Sequence, residues 1–159
     1  MTAAIALELI DSKAHPLLAA LRELLLEYER YLGVSLCFQS YEEEMAQLPG
    51  DYAPPDGRMY VALVGDEVAG CIALRKLDAQ TSEMKRLYVR PVFHGQGLGR
   101  RLAAHIVQDA RQIGYTRMLL DTLPKLNAAV GLYASMGFKQ ISAYNDNSLE
   151  GVKFFELKL

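Results

Sequence analysis

Three glycines, Gly95, Gly97 and Gly99, alternate with other residues directly before a stretch of helical periodicity. Over residues 98–113, apolar side chains recur at the spacing of one helical face. The glycines therefore lie at the N-terminus of a predicted helix. Because glycine has no Cβ, a bulky anion can approach backbone N–H groups that have no partner within the helix. This feature predicts a site for a phosphate-containing ligand.

Basic side chains surround the glycines, and no acidic residue lies between positions 89 and 108. The basic residues are Arg90, His94, Arg100 and Arg101. The whole chain carries a net charge of -2, so this cluster is a local feature. A nearly balanced charge argues against general affinity for nucleic acid or membranes, and no segment has the roughly 20 apolar residues of a membrane helix.

The chain of 159 residues with 51% hydrophobic content has the size of one domain with a sizeable core, so we expect a single domain over residues 1–159. Cys37 and Cys71 lie far apart in unrelated contexts, and no basic leader precedes an apolar run. We therefore expect reduced thiols and a cytoplasmic protein. The histidines have no partner spacing, so no metal site is predicted.

Alternation and helical periodicity together predict a mixed sheet of six to seven strands with about four helices, an α/β (α+β) class. The predicted strands span 4–10, 59–64, 68–77, 82–89, 117–122, 138–143 and 152–157, and the predicted helices span 14–32, 41–48, 98–113 and 125–136. Asp11 or Ser12 is expected to cap the first helix. A strand, a helix and a strand in succession predict that 117–122 runs parallel to 82–89.

Strict alternation along residues 82–89 predicts which side chains share a face of that strand. Glu83, Lys85, Leu87 and Val89 are expected on one face, and Met84, Arg86 and Tyr88 on the other. On this pattern Glu83 points the same way as the residues nearest the glycine turn.

The glycine spacing argues against two common nucleotide sites. A dinucleotide-binding fold needs Gly-x-Gly-x-x-Gly near the N-terminus, and a P-loop needs Gly-Lys-Ser/Thr. Neither pattern is present. Alone the glycines would be a weak signal, but they become specific together with the segments at residues 85–91 and 132–138.

These segments resemble the GCN5-related N-acetyltransferase (GNAT) superfamily, whose members use acyl-CoA. The family pattern Gln/Arg-x-x-Gly-x-Gly/Ala matches His94, Gly97 and Gly99, with histidine in place of the usual glutamine or arginine. The resemblance implies the GNAT fold and acetyl-CoA as cosubstrate. It also implies that the CoA pyrophosphate lies across residues 95–99, and that Arg100 or Arg101 reaches a phosphate.

The resemblance further implies that the pantetheine arm pairs with the backbone of residues 87–89, where an N–H near Tyr88 polarises the thioester carbonyl. The predicted cofactor-binding residues are Leu87, Tyr88, Val89, His94, Gly95, Gln96, Gly97, Leu98, Gly99, Arg100 and Asn127. Asn127 lies one residue from the matching family position, so it is a binding candidate or a helix-capping residue.

Two catalytic residues follow from the resemblance. Tyr133 matches a tyrosine that protonates the departing thiolate, although its spacing also suits an aromatic filling an apolar helix face. Glu83 is the candidate base, although it could equally be a surface carboxylate paired with Lys85, and water could serve instead. Cys71 lies in an apolar run and is expected in the core.

The predicted activity is transfer of acetyl from acetyl-CoA to a primary amine by direct attack in a ternary complex. A catalytically silent acyl-CoA-binding regulatory module is the alternative, and a nicotinamide-dependent oxidoreductase is disfavoured by glycine spacing and strand order. The expected partner is a small-molecule amine or amino-acid-like acceptor, with no nucleic acid and no membrane, and a homodimer is left open. Acceptor contacts could come from Arg75, Lys85, Tyr52 or residues 42–44.

Overall fold

The computed structural model describes residues 4–33, 41–147 and 149–159, and at Asn127 the backbone alone. The predicted thiol Cys37 lies outside these residues. The strands are β1 (Ile5–Leu9), β2 (Arg58–Val64), β3 (Glu67–Lys76), β4 (Thr81–Val89), β5 (Arg117–Thr122), β6 (Lys139–Ile141) and β7 (Lys153–Lys158). The helices are α1 (Leu18–Leu32), α2 (Tyr41–Gln47), α3 (Leu98–Ile113) and α4 (Asn127–Ser135). Of the helices described, none is long and apolar enough to cross a bilayer.

The seven strands form one mixed sheet in the order β1-β2-β3-β4-β5-β7-β6. Only β4 and β5 pair in parallel among the described strands, because α3 carries the chain back across the sheet between them. The remaining neighbours are antiparallel. The predicted mixed sheet with four helices, and the predicted parallel pair, are confirmed.

Helices cover both faces of the sheet, so each face has its own core. On the α3 face, the face covered by α3 and α4, residues such as Leu102 and Ile106 pack on Met84 and Met118. On the α1 face, covered by α1 and α2, the leucine stripe of α1 packs on strand residues such as Cys71. Full burial of one large aliphatic side chain stabilises the fold by about 1.5–3 kcal/mol, so the apolar faces of α1 and α3 hold the sheet between them.

Helix α1 begins four residues later than the sequence predicts, at Leu18. Neither Asp11 nor Ser12 caps it, and no side chain bonds to its first turn. The Ser12 hydroxyl instead accepts a hydrogen bond from the Ala14 N–H at 3.3 Å. The predicted cap is therefore wrong, because the residues before Pro16 form separate turns.

Strand β4 contains a bulge that the alternation pattern does not predict. Arg86 has φ +60°, and the register moves from Ala73 opposite Lys85 to Cys71 opposite Tyr88, so β4 holds one extra residue. From Arg86 onward, each side chain of β4 therefore points to the opposite face from the one that strict alternation predicts. Glu83, Lys85, Arg86 and Tyr88 lie on the α1 face, and Met84, Leu87 and Val89 on the α3 face. The predicted grouping of Glu83 with Leu87 and Val89 is therefore wrong.

Strands β4 and β5 pair only over their first residues, and their last pair is Glu83 opposite Leu119. Both strands continue beyond this point, β4 to Val89 and β5 to Thr122, but they no longer pair with each other. The sheet is therefore split between them at their carboxyl ends. Backbone groups on the inner edge of β4 face this gap, where an extended ligand can pair with them.

Candidate functional site

The glycine turn before α3 is built to receive an anion. Gly95 and Gly97 have φ of +82° and +76°, a left-handed conformation in which a side chain would be strained. None of the backbone N–H groups of residues 95–100 meets an acceptor within the described part of the chain. These donors lie at the positive end of the α3 dipole. The turn can therefore bind phosphate oxygens, as the sequence predicts.

A groove of about 350 Å³ runs from this turn along the split in the sheet. Its walls come from β4, the glycine turn, and the segment that leads into α4. Its lining residues are Tyr31, Leu87, Tyr88, Val89, Phe93, His94, Gly95, Gly97, Leu98, Gly99, Arg100, Lys125, Leu126, Ala128, Ala129 and Leu132. Among the predicted binding residues, Gln96 does not line it, and the side chain of Asn127 lies outside what the structure describes.

The four basic residues near the turn have different roles in the fold. Arg100 lines the groove and donates a hydrogen bond to the Ser135 Oγ at 2.7 Å. Arg101, its neighbour, does not line the groove. Arg90 turns away to α1, where its guanidinium forms an ion pair with Glu27 at 2.7 Å. The cluster around the turn is therefore smaller than the sequence predicts.

His94 lies in the groove wall, but its ring is engaged by the chain itself. Its Nε2 lies 2.7 Å from the Val89 carbonyl oxygen, which can only accept, so Nε2 carries the proton. The ring thus holds the end of β4 against the glycine turn. Histidine at this position orients the strand edge that faces the groove.

Lys125 adds a cation to the groove that sequence reasoning missed. It lies between β5 and α4, and its ammonium donates to the Tyr31 carbonyl and lies over the Tyr31 ring. The available signal was its position just after β5, because carboxyl ends of parallel strands commonly carry ligand contacts. Arg100 and Lys125 together make the groove electropositive.

The groove continues into a smaller inner chamber between β4 and β5. The two share Leu87 and Leu126, and the chamber holds about 40 Å³. The chamber is lined by Tyr28, Leu32, Met84, Lys85, Arg86, Leu87, Asp121, Thr122, Leu123, Leu126, Tyr133, Asn147 and Leu149. A ligand anchored at the glycine turn can therefore extend along β4 and reach residues of both sheet faces.

Tyr133 combines the two roles that the sequence left open. Its ring fills the α3-face core against Phe138 and Phe155, with ring centroids 5.6 and 6.3 Å away. Its residue also lines the inner chamber, and no hydrogen bond is found from its hydroxyl to another described residue. Burial raises the pKa of the Tyr133 phenol, so it stays protonated at neutral pH.

Glu83 is fully buried, at 1% exposure, and is not a surface carboxylate. Its Oε1 accepts a hydrogen bond from the Arg75 Nε at 2.7 Å, and its Oε2 accepts one from the Tyr144 hydroxyl at 2.5 Å. It does not line the inner chamber. The Lys85 ammonium lies 3.9 Å from Oε1.

Two polar residues at the carboxyl end of β5 were missed by sequence reasoning. Asp121 lines the chamber, and its Oδ2 accepts hydrogen bonds from the side-chain amides of Asn145 and Asn147 at 2.9 and 3.2 Å. Thr122 is buried, and its Oγ1 has no partner in the described chain. An acidic residue ending the apolar run of β5 was the available signal.

Cys71 belongs to the α1-face core, as predicted. Burial raises the pKa of its thiol to about 12, and its Sγ donates to the carbonyl of Arg86 at 3.3 Å. It therefore supports the bulge and is not a reactive nucleophile. Within the described ranges, no three His, Cys, Asp or Glu side chains are grouped as metal ligands.

Comparison with known sequences agrees with this geometry. The model of the acetyltransferase (GNAT) family matches residues 18–138. An uncharacterized N-acetyltransferase of Schizosaccharomyces pombe is 40% identical over 135 residues, covering 84% of this chain and 83% of the relative. An N-acetylaspartate synthetase of Danio rerio is 28% identical over 79% of this chain and 45% of its own length.

Solved structures share the same fold. An acetyltransferase from Streptococcus agalactiae superposes with a TM-score of 0.77 at 25% identity, covering 96% of this chain and 98% of the other. A GNAT family acetyltransferase from Elizabethkingia anophelis, solved with acetyl-CoA bound, gives a TM-score of 0.65 at 20% identity, with 98% of both chains covered.

Proposed function

This chain belongs to the acetyltransferase (GNAT) family and is an N-acetyltransferase that uses acetyl-CoA, and we propose that it acetylates the primary amine of a small molecule by direct attack in a ternary complex. One observation carries the proposal. A groove starts at the free N–H groups of the glycine turn and continues between the ends of β4 and β5, which do not pair with each other. It leads to the chamber that Tyr133 lines. It joins an anion site to a proton donor.

The residues present fit acetyl-CoA. The N–H groups of residues 95–100 suit the pyrophosphate, with Arg100 and Lys125 as the nearby cations. The unpaired edge of β4 over residues 87–89 suits the amide-rich pantetheine arm. The orphaned Thr122 hydroxyl at the inner end can hydrogen-bond with a polar group of the ligand.

Acetyl-CoA supplies an activated thioester carbonyl for attack by the amine. A backbone N–H near Tyr88 is the proposed donor to the carbonyl oxygen, since the edge of β4 that faces β5 is unpaired there. Tyr133 holds the proton that the departing sulfur needs. Its raised pKa means that the phenol is still protonated at neutral pH when the thiolate forms beside it.

The proposed proton acceptor for the amine is Glu83 acting through water, or water alone. Both Glu83 oxygens already accept hydrogen bonds from Arg75 and Tyr144, so direct contact with the amine is disfavoured. A water-mediated path needs no rearrangement of these bonds.

Small-molecule amines are the proposed acceptors. The inner chamber is small, which suits a compact amine better than a folded protein surface. The name of the Danio rerio relative, N-acetylaspartate synthetase, also supports a small-molecule acceptor. A cytoplasmic location and a homodimer stay predictions of the sequence.

The first test is the melting temperature with acetyl-CoA, CoA or NAD, followed by an acetylation assay on a panel of amines. A ligand at 100 times its Kd adds about 2.7 kcal/mol, which raises Tm by about 5–10 °C for a chain of this size. We expect this rise with both CoA species and not with NAD. A rise with NAD alone, or acetyl-CoA binding with no acetylated amine, would contradict the proposal.

Arg100→Gln is expected to raise the Kd for CoA by about 5- to 10-fold, because one charge-assisted phosphate contact contributes about 1–1.5 kcal/mol at an exposed site. Arg101→Gln is the matched control, because it removes the same charge one residue away and outside the groove. Its Kd should change by less than about 2-fold. Equal effects in the two variants would mean that Arg100 acts only through long-range charge.

A further inference from the structure

The inner chamber lies beside a group of charged residues on the α1 face, and of these the proposed transfer uses only Glu83. Two neighbouring ion pairs there are already complete. The Arg86 guanidinium binds both Glu44 oxygens at 2.9 and 3.0 Å, and Arg75 binds Glu83 at 2.7 Å. Within each pair the two charges neutralise each other. The charged groups available to a ligand are therefore Lys85 and Asp121.

Lys85 is a buried cation whose ammonium makes no hydrogen bond within the described chain. Its side chain is 7% exposed and lines the chamber. The nearest carboxylate oxygen, on Glu83, is 3.9 Å away and already accepts a hydrogen bond from Arg75. A buried ammonium is costly unless a counter-charge and acceptors meet it. Burial and the charge of Arg86 lower the pKa of Lys85, and a bound anion would oppose that shift.

Asp121 supplies the opposite charge at another point of the chamber wall. The amides of Asn145 and Asn147 both donate to Oδ2, and Oδ1 receives no hydrogen bond from the described residues. Asp121 and Lys85 form no ion pair with each other. The chamber therefore presents one cation and one carboxylate that remain apart.

We propose that the acceptor is an amino acid or a similar zwitterion, with its carboxylate bound by Lys85 and its amino group facing Asp121. This rests on the proposed function and narrows its substrate class. The chamber volume of about 40 Å³ holds a group the size of a carboxylate, so the rest of the acceptor extends outside it. In the transfer, the ammonium nitrogen of the zwitterion loses two protons and gains the acetyl group, and the carbon–sulfur bond breaks. One proton ends on CoA, which leaves as the thiol, and the other is released through the proposed proton acceptor to solvent.

The test compares amino acids with their carboxamides, for example alanine with alaninamide and leucine with leucinamide. The amide keeps the side chain and the amine but removes the negative charge. We expect kcat/KM to favour the acids by at least about 10-fold, which is about 1.4 kcal/mol of recognition. Equal use of acids and amides would overturn the inference and leave the acetyltransferase proposal standing. Acetylation of neither, with other amines of the panel acetylated, would also overturn the inference alone, and acetylation of no amine would overturn both.

Lys85→Met tests the residue itself, and Lys76→Met is the matched control. Lys76 is exposed on β3, with its nearest carboxylate 4.0 Å away. Lys85→Met should raise KM for the acids by at least about 10-fold and change the amides by less than about 2-fold. Asp121→Asn should raise KM for the amino acids and for their amides alike, because both carry the amine. Preference for the acids that survives Lys85→Met would overturn the assignment.

The Tm rise with CoA gives each variant an independent check of folding and cofactor binding. It should be unchanged in Lys85→Met, since Lys85 does not line the outer groove. If that variant does not fold, Lys85→Gln replaces it, since it also removes the charge and keeps a polar side chain of similar length. The same split between acids and amides is then expected.

Discussion

Replacing Tyr133 with phenylalanine is expected to lower kcat by about 100- to 1,000-fold, the range that a positioned general acid contributes. The phenyl ring can keep its packing against Phe138 and Phe155, which fixes its position in the α3-face core. No hydrogen bond is found from the lost hydroxyl to another described residue, so its removal leaves no partner unpaired. Activity should therefore fall without a loss of stability.

Steady-state kcat, the Tm and the Tm rise with CoA measure these effects separately. Tyr115→Phe is the control, because the Tyr115 hydroxyl donates to the Asp56 carbonyl at 2.7 Å, outside the groove and chamber. That variant should lose about 1 kcal/mol of stability and keep its turnover. Full turnover in Tyr133→Phe would remove Tyr133 from the mechanism and leave proton donation to solvent.

The pH dependence provides a second expectation for the same residue. Burial raises the pKa of the Tyr133 phenol above its ordinary value near 10, so the proton-donating form persists throughout the neutral range. The kcat of the wild type should not fall between about pH 7 and pH 9 through loss of this proton. A decline in this range that disappears in Tyr133→Phe would contradict the raised pKa.

The sequence predicts those parts of the fold and site that depend on neighbouring residues or on the order of the elements. The glycines at 95 and 97, the helix after them and the parallel pair of β4 with β5 each follow from neighbouring residues or chain order. Tyr133 could be placed on its helix from the sequence. Its partner Phe155 could not, because it comes from β7, which meets α4 only in the folded chain.

The site features that the sequence missed depend on long-range packing. Alternation places Glu83 beside Leu87, but the bulge at Arg86 puts them on opposite faces. Burial of Glu83 depends on Arg75 and Tyr144, which lie on a neighbouring strand and a distant loop. Lys85 was one of several possible acceptor contacts in the sequence, and its burial in the chamber wall follows only from the split of the sheet beside it.

One local signal for the bulge was present in the chain. Gly70 lies inside β3, where glycine commonly marks a bulge or the close approach of another backbone. A Cβ at Gly70 would lie 2.4 Å from the Tyr88 carbonyl oxygen, which belongs to the bulged part of β4. Only glycine therefore allows β4 to approach β3 in this way while its other edge faces the groove.

Gly70→Ala is accordingly expected to destabilise the protein by about 2–3 kcal/mol and to weaken CoA binding. The contact is with backbone, so relief requires β3 or β4 to move, and we expect β4 to move over residues 87–89, which line the groove. Gly131→Ala in α4 is the matched control, because a Cβ there meets nothing within 4 Å. The control should gain up to about 1 kcal/mol, since alanine favours a helix interior over glycine.

Denaturant unfolding and the Tm rise with CoA distinguish the possible results for this pair. Loss of stability together with a smaller CoA-dependent rise would mean that Gly70 holds both the fold and the ligand edge of β4. Loss of stability with unchanged CoA binding would mean that β3 yields instead, and that the groove edge is independent of the contact. Wild-type stability in Gly70→Ala would contradict the close approach itself, because no side-chain movement relieves a clash between a Cβ and a carbonyl oxygen.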